Sequence, residues 1–175
     1  ENIKKTAPDL PPASNVICTK SLNHFLDPQF FFKWAYDVLD ADGRLILEVK
    51  NFRQQCRMSG RVRRGVQIDH PFMFVPETLA EFVRAAGFDI LYTDVDEFKS
   101  KAERLRQKRT GLPVGHMRLA ARKTGRSPFT APVLPRPQVV AKMNWEFSTL
   151  ALYAAYLTRY ASPLKNIKKR VGLTA

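Results

Sequence analysis

Imidazole side chains titrate near neutral pH, and this chain of 175 residues has three of them. His24 lies in a polar segment after an apolar run, where it could act as a general base or position a substrate. The alternative is a turn histidine that hydrogen-bonds to neighbouring backbone. His70 follows Asp69, which could orient its ring as a base, or His70 could simply fix the start of the next helix. The histidines and the two cysteines lack the spacing of zinc ligands, so no metal site is predicted.

A second group of residues that could do chemistry is a run of arginines in the segment 51–74, which has no acidic residue before Asp69. Guanidinium groups could bind phosphate or carboxylate groups of a substrate. The candidates for substrate binding are Arg53, Arg57, Arg63 and Arg64, with Arg61 between them. The alternative is a solvated basic loop. A formal net charge of +13 favours polyanionic partners such as nucleic acid, anionic lipid or a phosphorylated substrate.

The elements that must position these residues begin with a buried strand, Asn15 to Thr19. Asp27 and Pro28 are a good N-cap and first position for a helix, and the DADG sequence predicts a turn in which Gly43 takes a positive φ. A second buried strand is predicted from Arg44 to Val49. Two apolar strands joined by a helix form a βαβ unit, so they should be parallel.

Four more elements are predicted downstream. Pro76 opens a helix that Gly87 closes, and the next helix, a basic one over 97–109, has Phe98, Ala102 and Leu105 on one face. The strands are FDILYTDVDEF, from Phe88, and His116 to Arg122. The sequence therefore predicts an α/β fold.

Composition changes at both ends of this region, which divides the chain into 1–13, a linker; 14–123, the α/β domain; 124–137, a proline-rich linker; and 138–175, an amphipathic helix and basic tail. The helix should run for about six turns, and its apolar part is too short to cross a bilayer. Together with the basic tail, at Lys165, Lys168, Lys169 and Arg170, it is typical of an interfacial membrane anchor or a partner-docking helix. The alternative is that it packs across the open face of its own sheet.

The cellular setting is predicted from Cys18 and Cys56, which are too few for a disulfide framework and favour a reducing, cytoplasmic environment. Residues 1–13 lack the apolar segment of a signal peptide. We therefore expect a cytoplasmic protein that contacts a membrane, if at all, from its periphery through residues 138–170.

Three stretches, VICTKSLNHFLDP, VLDADGRLILEV and HPFMFVPETLAEFVRAAGFDI, occur in an order that resembles the second half of a class I S-adenosylmethionine-dependent methyltransferase. The resemblance covers about Asn15 to Lys123. It implies a Rossmann-like half-sheet with the family's fourth, fifth, seventh and sixth strands side by side in that order, the last strand in the chain being antiparallel. The family's glycine-rich loop, which binds the cofactor, has no counterpart before Asn15.

The resemblance also implies roles for particular residues. Thr19, Lys20 and Ser21 stand at positions that line the cofactor cleft and would contact S-adenosylmethionine, and His24 matches the family's turn histidine. Lys20 departs from the family pattern, because an ammonium repels a sulfonium unless it points to the cofactor's carboxylate. The implied activity is methyl transfer to an unidentified acceptor.

The implied half-sheet leaves the strand edge at Val16 to Cys18 unpaired, and exposed apolar edges are sites of pairing. Another chain or segment should therefore complete the sheet, in an oligomer or complex. The alternative function is a non-catalytic, basic, methyltransferase-like subunit that binds nucleic acid, a membrane surface or a protein partner.

Overall fold

A computed structural model describes residues 11–97, 101–111, 115–126, 128–129 and 136–159 of the chain. The strands are β1 (Ala13–Thr19), β2 (Leu39–Lys50), β3 (Phe88–Val95) and β4 (His116–Lys123). The helices are α1 (Pro28–Val38), α2 (Phe52–Ser59), α3 (Val62–Gly65), α4 (Pro76–Ala85), α5 (Lys101–Arg109), α6 (Pro137–Glu146) and α7 (Thr149–Arg159), with a 3₁₀ turn at Leu22–His24.

The four strands form one sheet in the order β1-β2-β4-β3. β1 and β2 are parallel, whereas β4 is antiparallel to both of its neighbours. This α/β fold and strand order confirm the prediction, including the antiparallel insertion of the last strand. Within the described sheet, β1 and β3 are the edge strands.

One face of the sheet carries the hydrophobic core. Alternate residues of β2 and β4 point into it, and α1 and α4 supply the apolar layer that covers them. The fully buried side chains include Phe32, Leu45, Leu47, Leu79, Val83 and Met117. The predicted helix signals are confirmed, since Asp27 accepts a hydrogen bond from Phe30 N–H at 3.0 Å and Gly87, after α4, has a φ of +82°.

The opposite face carries an apolar row that crosses all four strands. Ile17 pairs with Ile46, Ile46 with Ala120, and Ala120 with Tyr92, so these side chains share one face. Ile17 is 65% exposed and Tyr92 60% exposed. At the two edge strands, the face that carries this row is therefore much less covered than the face that carries the core.

The predicted DADG turn is wrong. β2 begins at Leu39, which is buried and pairs with Ala13, and the register shifts before Arg44 pairs with Asn15. Gly43 does not take a positive φ; a β-carbon there would lie 2.8 Å from Leu39 Cβ, so close packing and not turn geometry requires a glycine.

The segment predicted as a basic loop contains two helices, α2 and α3. Asn51 caps α2 by accepting a hydrogen bond from Gln54 N–H, and Gly60 ends it with a φ of +72°. In α5, Ala102 and Leu105, two of the residues predicted to share one face, are exposed.

The predicted six-turn helix is two helices, α6 and α7. Ser148 starts the second one, since its Oγ accepts a hydrogen bond from Ala151 N–H at 3.2 Å. Leu152 of α7 is buried, and Phe147 stacks on Phe52 of α2 with ring centroids 5.2 Å apart. In the described residues α7 therefore packs against α2, and no described helix has the length and apolar character needed to span a bilayer.

Several predictions fall on residues outside the described part of the chain. They are the N-terminal linker up to residue 10, Phe98, half of the proline-rich linker, and the basic tail from residue 160. Cys18 and Cys56 are both buried free thiols.

Candidate functional site at the carboxyl ends of the parallel strands

The turn after β1 holds the three residues predicted to face a cofactor, Thr19, Lys20 and Ser21, and all three are exposed. Lys20 has a φ of +57°, a left-handed conformation that is uncommon for a residue with a β-carbon. Its N–H donates to the Glu48 carbonyl at 2.8 Å, and Ser21 Oγ–H donates to the Thr19 carbonyl at 2.9 Å. These bonds hold a strained turn open to solvent, which is compatible with backbone contacts to a ligand.

The 3₁₀ turn that follows is joined to the segment before α4. Asn23 is buried, and its Nδ2–H donates to the Phe72 carbonyl at 2.8 Å. His24 Nδ1 lies 3.0 Å from the Asp69 carbonyl. Because a carbonyl oxygen only accepts, this contact is a hydrogen bond when Nδ1 carries the proton.

This junction brings His24 and His70 together, with ring centroids 4.4 Å apart and planes at 83°. The side chain of His70 is 3% exposed, whereas that of His24 is 46% exposed. Asp69 Oδ2 lies 3.8 Å from His24 Nδ1 and 3.9 Å from His70 Nε2. Two imidazoles and one carboxylate thus form a compact cluster, which we call the His–Asp cluster.

The electrostatics of the cluster favour a neutral His70. Burial lowers the pKa of His70, and the positive charge of Lys50 lowers it further, against an opposing effect of Asp69. Lys50, at the end of β2, also donates a hydrogen bond to Gln67 Oε1. A neutral imidazole can accept a proton or bind a metal ion.

The predicted substrate-binding arginines separate into two groups. Arg53 is 4% exposed and bonds to three carboxylates: Nη2 to Glu77 at 2.7 Å, Nη1 to Glu97 at 3.2 Å and Nε to Glu146 at 2.7 Å. Arg57 pairs with Glu97 and Glu146. Arg63 and Arg64 of α3 are exposed. The structure thus engages Arg53 and Arg57 within the chain and leaves Arg63 and Arg64 at the surface.

The carboxylates around Arg53 shift two pKa values. Burial alone would lower the pKa of Arg53, but its hydrogen bond to Glu77 and the nearby negative charges raise it overall. Burial alone would raise the pKa of Glu77, but hydrogen bonds from Lys142 and Arg53 lower it to about 2. Both groups therefore stay charged at neutral pH, as expected of a structural ion network.

A separate concave region of about 380 Å³ lies between the end of β3 and α5. It is acidic, and its described lining includes Asp94, Asp96, Glu97, Glu103 and Arg106. None of the residues predicted for the cofactor or for catalysis lines it, so we place the candidate site at the turn after β1 and the His–Asp cluster.

Sequence reasoning considered His24 and His70 separately and missed that they meet. Their separation along the chain carries no contact signal, and only the fold brings the 3₁₀ turn beside the segment before α4. Asn23 and Lys50 were not singled out either. No sequence signal marked Asn23, because the burial that makes it require hydrogen-bond partners is seen only in the structure.

The sequence matches no family model, and it matches no curated protein. Solved structures of similar fold include S-adenosylmethionine-dependent methyltransferases from Methanosarcina mazei, with 16% identity and a TM-score of 0.44, and from Mesorhizobium loti, with 10% and 0.47. A third, from Listeria monocytogenes and described in the same terms, has 16% identity and a TM-score of 0.46.

The matches cover 66%, 66% and 70% of this chain and 62%, 65% and 66% of the respective structures. The chain therefore spans less than two thirds of the length of each. At these identities and TM-scores the likeness bears on neither activity nor ligand.

Proposed function

We propose that this chain forms the carboxyl-terminal half of a domain that transfers a methyl group from S-adenosylmethionine to an acceptor. The observation that carries the proposal is the strand order β1-β2-β4-β3 with β4 antiparallel, which is the order implied by the sequence motifs. Binding sites of open α/β sheets lie beyond the carboxyl ends of the parallel strands, where the candidate site is found.

The turn after β1 would form one wall of the cofactor site. Thr19, Lys20 and Ser21 are exposed there, and the left-handed backbone at Lys20 fits a close approach of ligand to main chain. When bound, S-adenosylmethionine supplies an activated methyl group, so the chain's main task is to align the acceptor. The residues described here provide only part of such a site.

The His–Asp cluster would position the acceptor and take up its proton. His70 is buried and its pKa is lowered, so it is neutral at pH 7, and His24 is exposed enough to meet a substrate. Arg63 and Arg64 are the exposed cations of the basic segment that remain candidates for binding an anionic acceptor. Arg53 and Arg57 instead hold α2 to α6.

The site would be completed by strands from a longer chain or a partner, paired with β1. Two observations support this part of the proposal. β1 is an edge of the described sheet, and its Ile17 lies 65% exposed in an apolar row that crosses the sheet. A covering half would bury both the edge and the row.

The test is to purify the chain from its native cells as a complex with its partners. S-adenosylmethionine is then titrated into that assembly and into the chain alone. We expect the assembly to bind the cofactor, and Thr19→Trp to weaken binding at least about tenfold, or about 1.4 kcal/mol. Thr93→Trp, at an exposed threonine of β3, is the matched control. A folded assembly that does not bind the cofactor would contradict the proposal.

A second candidate function, a non-catalytic module on an anionic membrane surface, is favoured by one face of α7. Leu150, Tyr153 and Leu157 recur at helical spacing and are 71%, 52% and 42% exposed, and the chain is strongly basic. Cosedimentation with phosphatidylserine vesicles should then fall steeply with salt and with Tyr153→Asp. Unchanged sedimentation of that variant would exclude this surface.

A further inference from the structure

The His–Asp cluster combines two imidazoles and one carboxylate, side chains that a divalent transition metal ion binds readily in a mixed nitrogen and oxygen site. One ring nitrogen each of His24 and His70 and one carboxylate oxygen of Asp69 lie within 4.8 Å of one another. We infer that these three residues bind a divalent cation of the Zn²⁺ class, with the remaining coordination positions open to solvent or substrate.

The separations are close to those a bound ion requires. Zinc bonds to nitrogen and oxygen are about 2.0–2.1 Å, so ligand atoms at tetrahedral positions lie about 3.4 Å apart. The observed distance from His70 Nε2 to Asp69 Oδ2 is 3.9 Å. Asp69 is 64% exposed, and its side chain can rotate to close a gap of this size without moving the core.

The surroundings hold the histidines in place. His24 Nδ1 lies 3.0 Å from the Asp69 carbonyl, and this contact fixes the imidazole beside the Asp69 carboxylate. His70 is buried, and its backbone N–H donates to the Gln67 carbonyl at 3.1 Å. The hydrogen bond from Asn23 to the Phe72 carbonyl fixes the two segments that carry the ligands.

The charges near the cluster predict a moderate affinity. Asp69 attracts a cation, whereas the Lys50 ammonium acts on His70 from the end of β2 and repels one. Apart from the proposed ligands themselves, Lys50 is the charged group acting on His70 that opposes cation binding. Replacing Lys50 by Met should therefore tighten binding, which is a result that a merely adventitious surface ion would not produce.

This inference does not depend on methyl transfer, because binding is measured without a cofactor or an acceptor. If both hold, the histidines are ligands and not proton acceptors while the ion is bound, and an acceptor oxygen would occupy an open coordination position, where its pKa is lowered. Loss of metal binding with cofactor binding intact, or the reverse, tells the two proposals apart.

The experiment is a titration of the metal-free chain with Co²⁺, read by its visible absorption, followed by displacement with Zn²⁺ in competition with a chromophoric chelator. We expect one ion per chain and a spectrum without a thiolate charge-transfer band. His24→Ala and Asp69→Asn, both at exposed side chains, should each weaken binding at least about tenfold, and Lys50→Met should strengthen it.

Asp42→Asn, at an exposed carboxylate in β2, is the matched control and should bind as the unaltered chain does. Circular dichroism of every variant establishes that it is folded. A folded chain that binds neither ion would overturn the inference, as would affinities unchanged by His24→Ala and Asp69→Asn, since the ion would then lie elsewhere.

Discussion

Cys56 and Gly65 show how tightly the basic segment packs. Burial raises the pKa of the Cys56 thiol to about 12, so the thiol is protonated and unreactive in the folded chain. A β-carbon at Gly65 would lie 2.6 Å from Cys56 Sγ and 3.2 Å from its backbone nitrogen. The contact between α2 and α3 therefore requires a residue without a side chain.

Gly65→Ala should lower the free energy of unfolding by about 1–3 kcal/mol, because the added methyl group overpacks this contact. Urea denaturation followed by circular dichroism measures the change. Gly125→Ala, where a β-carbon meets nothing within 4 Å, is the control. Adding Cys56→Ala to the first variant should restore part of the loss; equal stability of Gly65→Ala and the unaltered chain would show that the helices separate easily.

The residues of the candidate site were predictable by type but not by grouping. His24, His70 and Asp69 stood out because imidazole and carboxylate groups transfer protons and bind ions. Their proximity depends on hydrogen bonds between segments far apart in the chain, from Asn23 to Phe72 and from His24 to Asp69. The engagement of Arg53 was equally hidden, because its three acidic partners lie on different segments.

Helices α2, α4 and α6 are joined by ion pairs. Arg53 of α2 bridges Glu77 of α4 and Glu146 of α6, and Lys142 of α6 also binds Glu77 at 2.7 Å. Charges buried in such a network stabilise the fold only while all partners stay ionised. The attachment of α6 should therefore depend on pH.

Glu77 sets the pH range of this dependence. Its pKa falls from 4.5 to about 2 on folding, so its contribution to stability is complete above pH 4.5 and is lost as the pH drops toward 2. Glu77→Gln should be less stable at pH 7, and its difference from the unaltered chain should shrink between pH 4.5 and 2. Thermal unfolding across this range measures it, with Asp42→Asn as control; a constant difference would contradict the assignment.

At the level of elements, local sequence signals predicted where most helices begin, but they predicted few of the places where a helix or strand is interrupted. Asp27, Pro76 and Gly87 mark helix boundaries through backbone geometry, and the structure places the boundaries there. The break between α6 and α7 depends on a single serine hydroxyl, Ser148, inside a pattern that reads as one continuous helix. The register shift of β2 depends on its pairing with β1, which no local pattern encodes.

At the scale of the whole molecule, two exposed apolar features of the described residues coincide at Ile17, namely the β1 edge and the row across the sheet. We expect the chain alone to associate through them, because an exposed edge strand pairs readily with another strand. The strand order itself was predictable, because the resemblance of the motifs to a known family implied it. The segment that covers the sheet was not predictable, because its identity is encoded in the covering residues and not in the residues of the sheet.

Ile17→Lys should shift the chain toward monomer, because a charge on the edge strand opposes pairing and covering. Sedimentation velocity at several concentrations measures the shift. Ile68→Lys replaces a fully exposed isoleucine outside the sheet and should leave association unchanged. If both variants associate alike, the contact does not involve β1.

The position of β4 between β2 and β3 also sets an order of events during synthesis. β3 leaves the ribosome before β4, yet in the described sheet β4 is the only strand with which β3 pairs. Until Lys123 has emerged, the only strand pair that the nascent chain can form is the parallel pair of β1 and β2. During that time the apolar sides of α4 and β3 stay exposed. Chaperone binding to ribosome-bound chains should therefore persist until β4 is released and then decline.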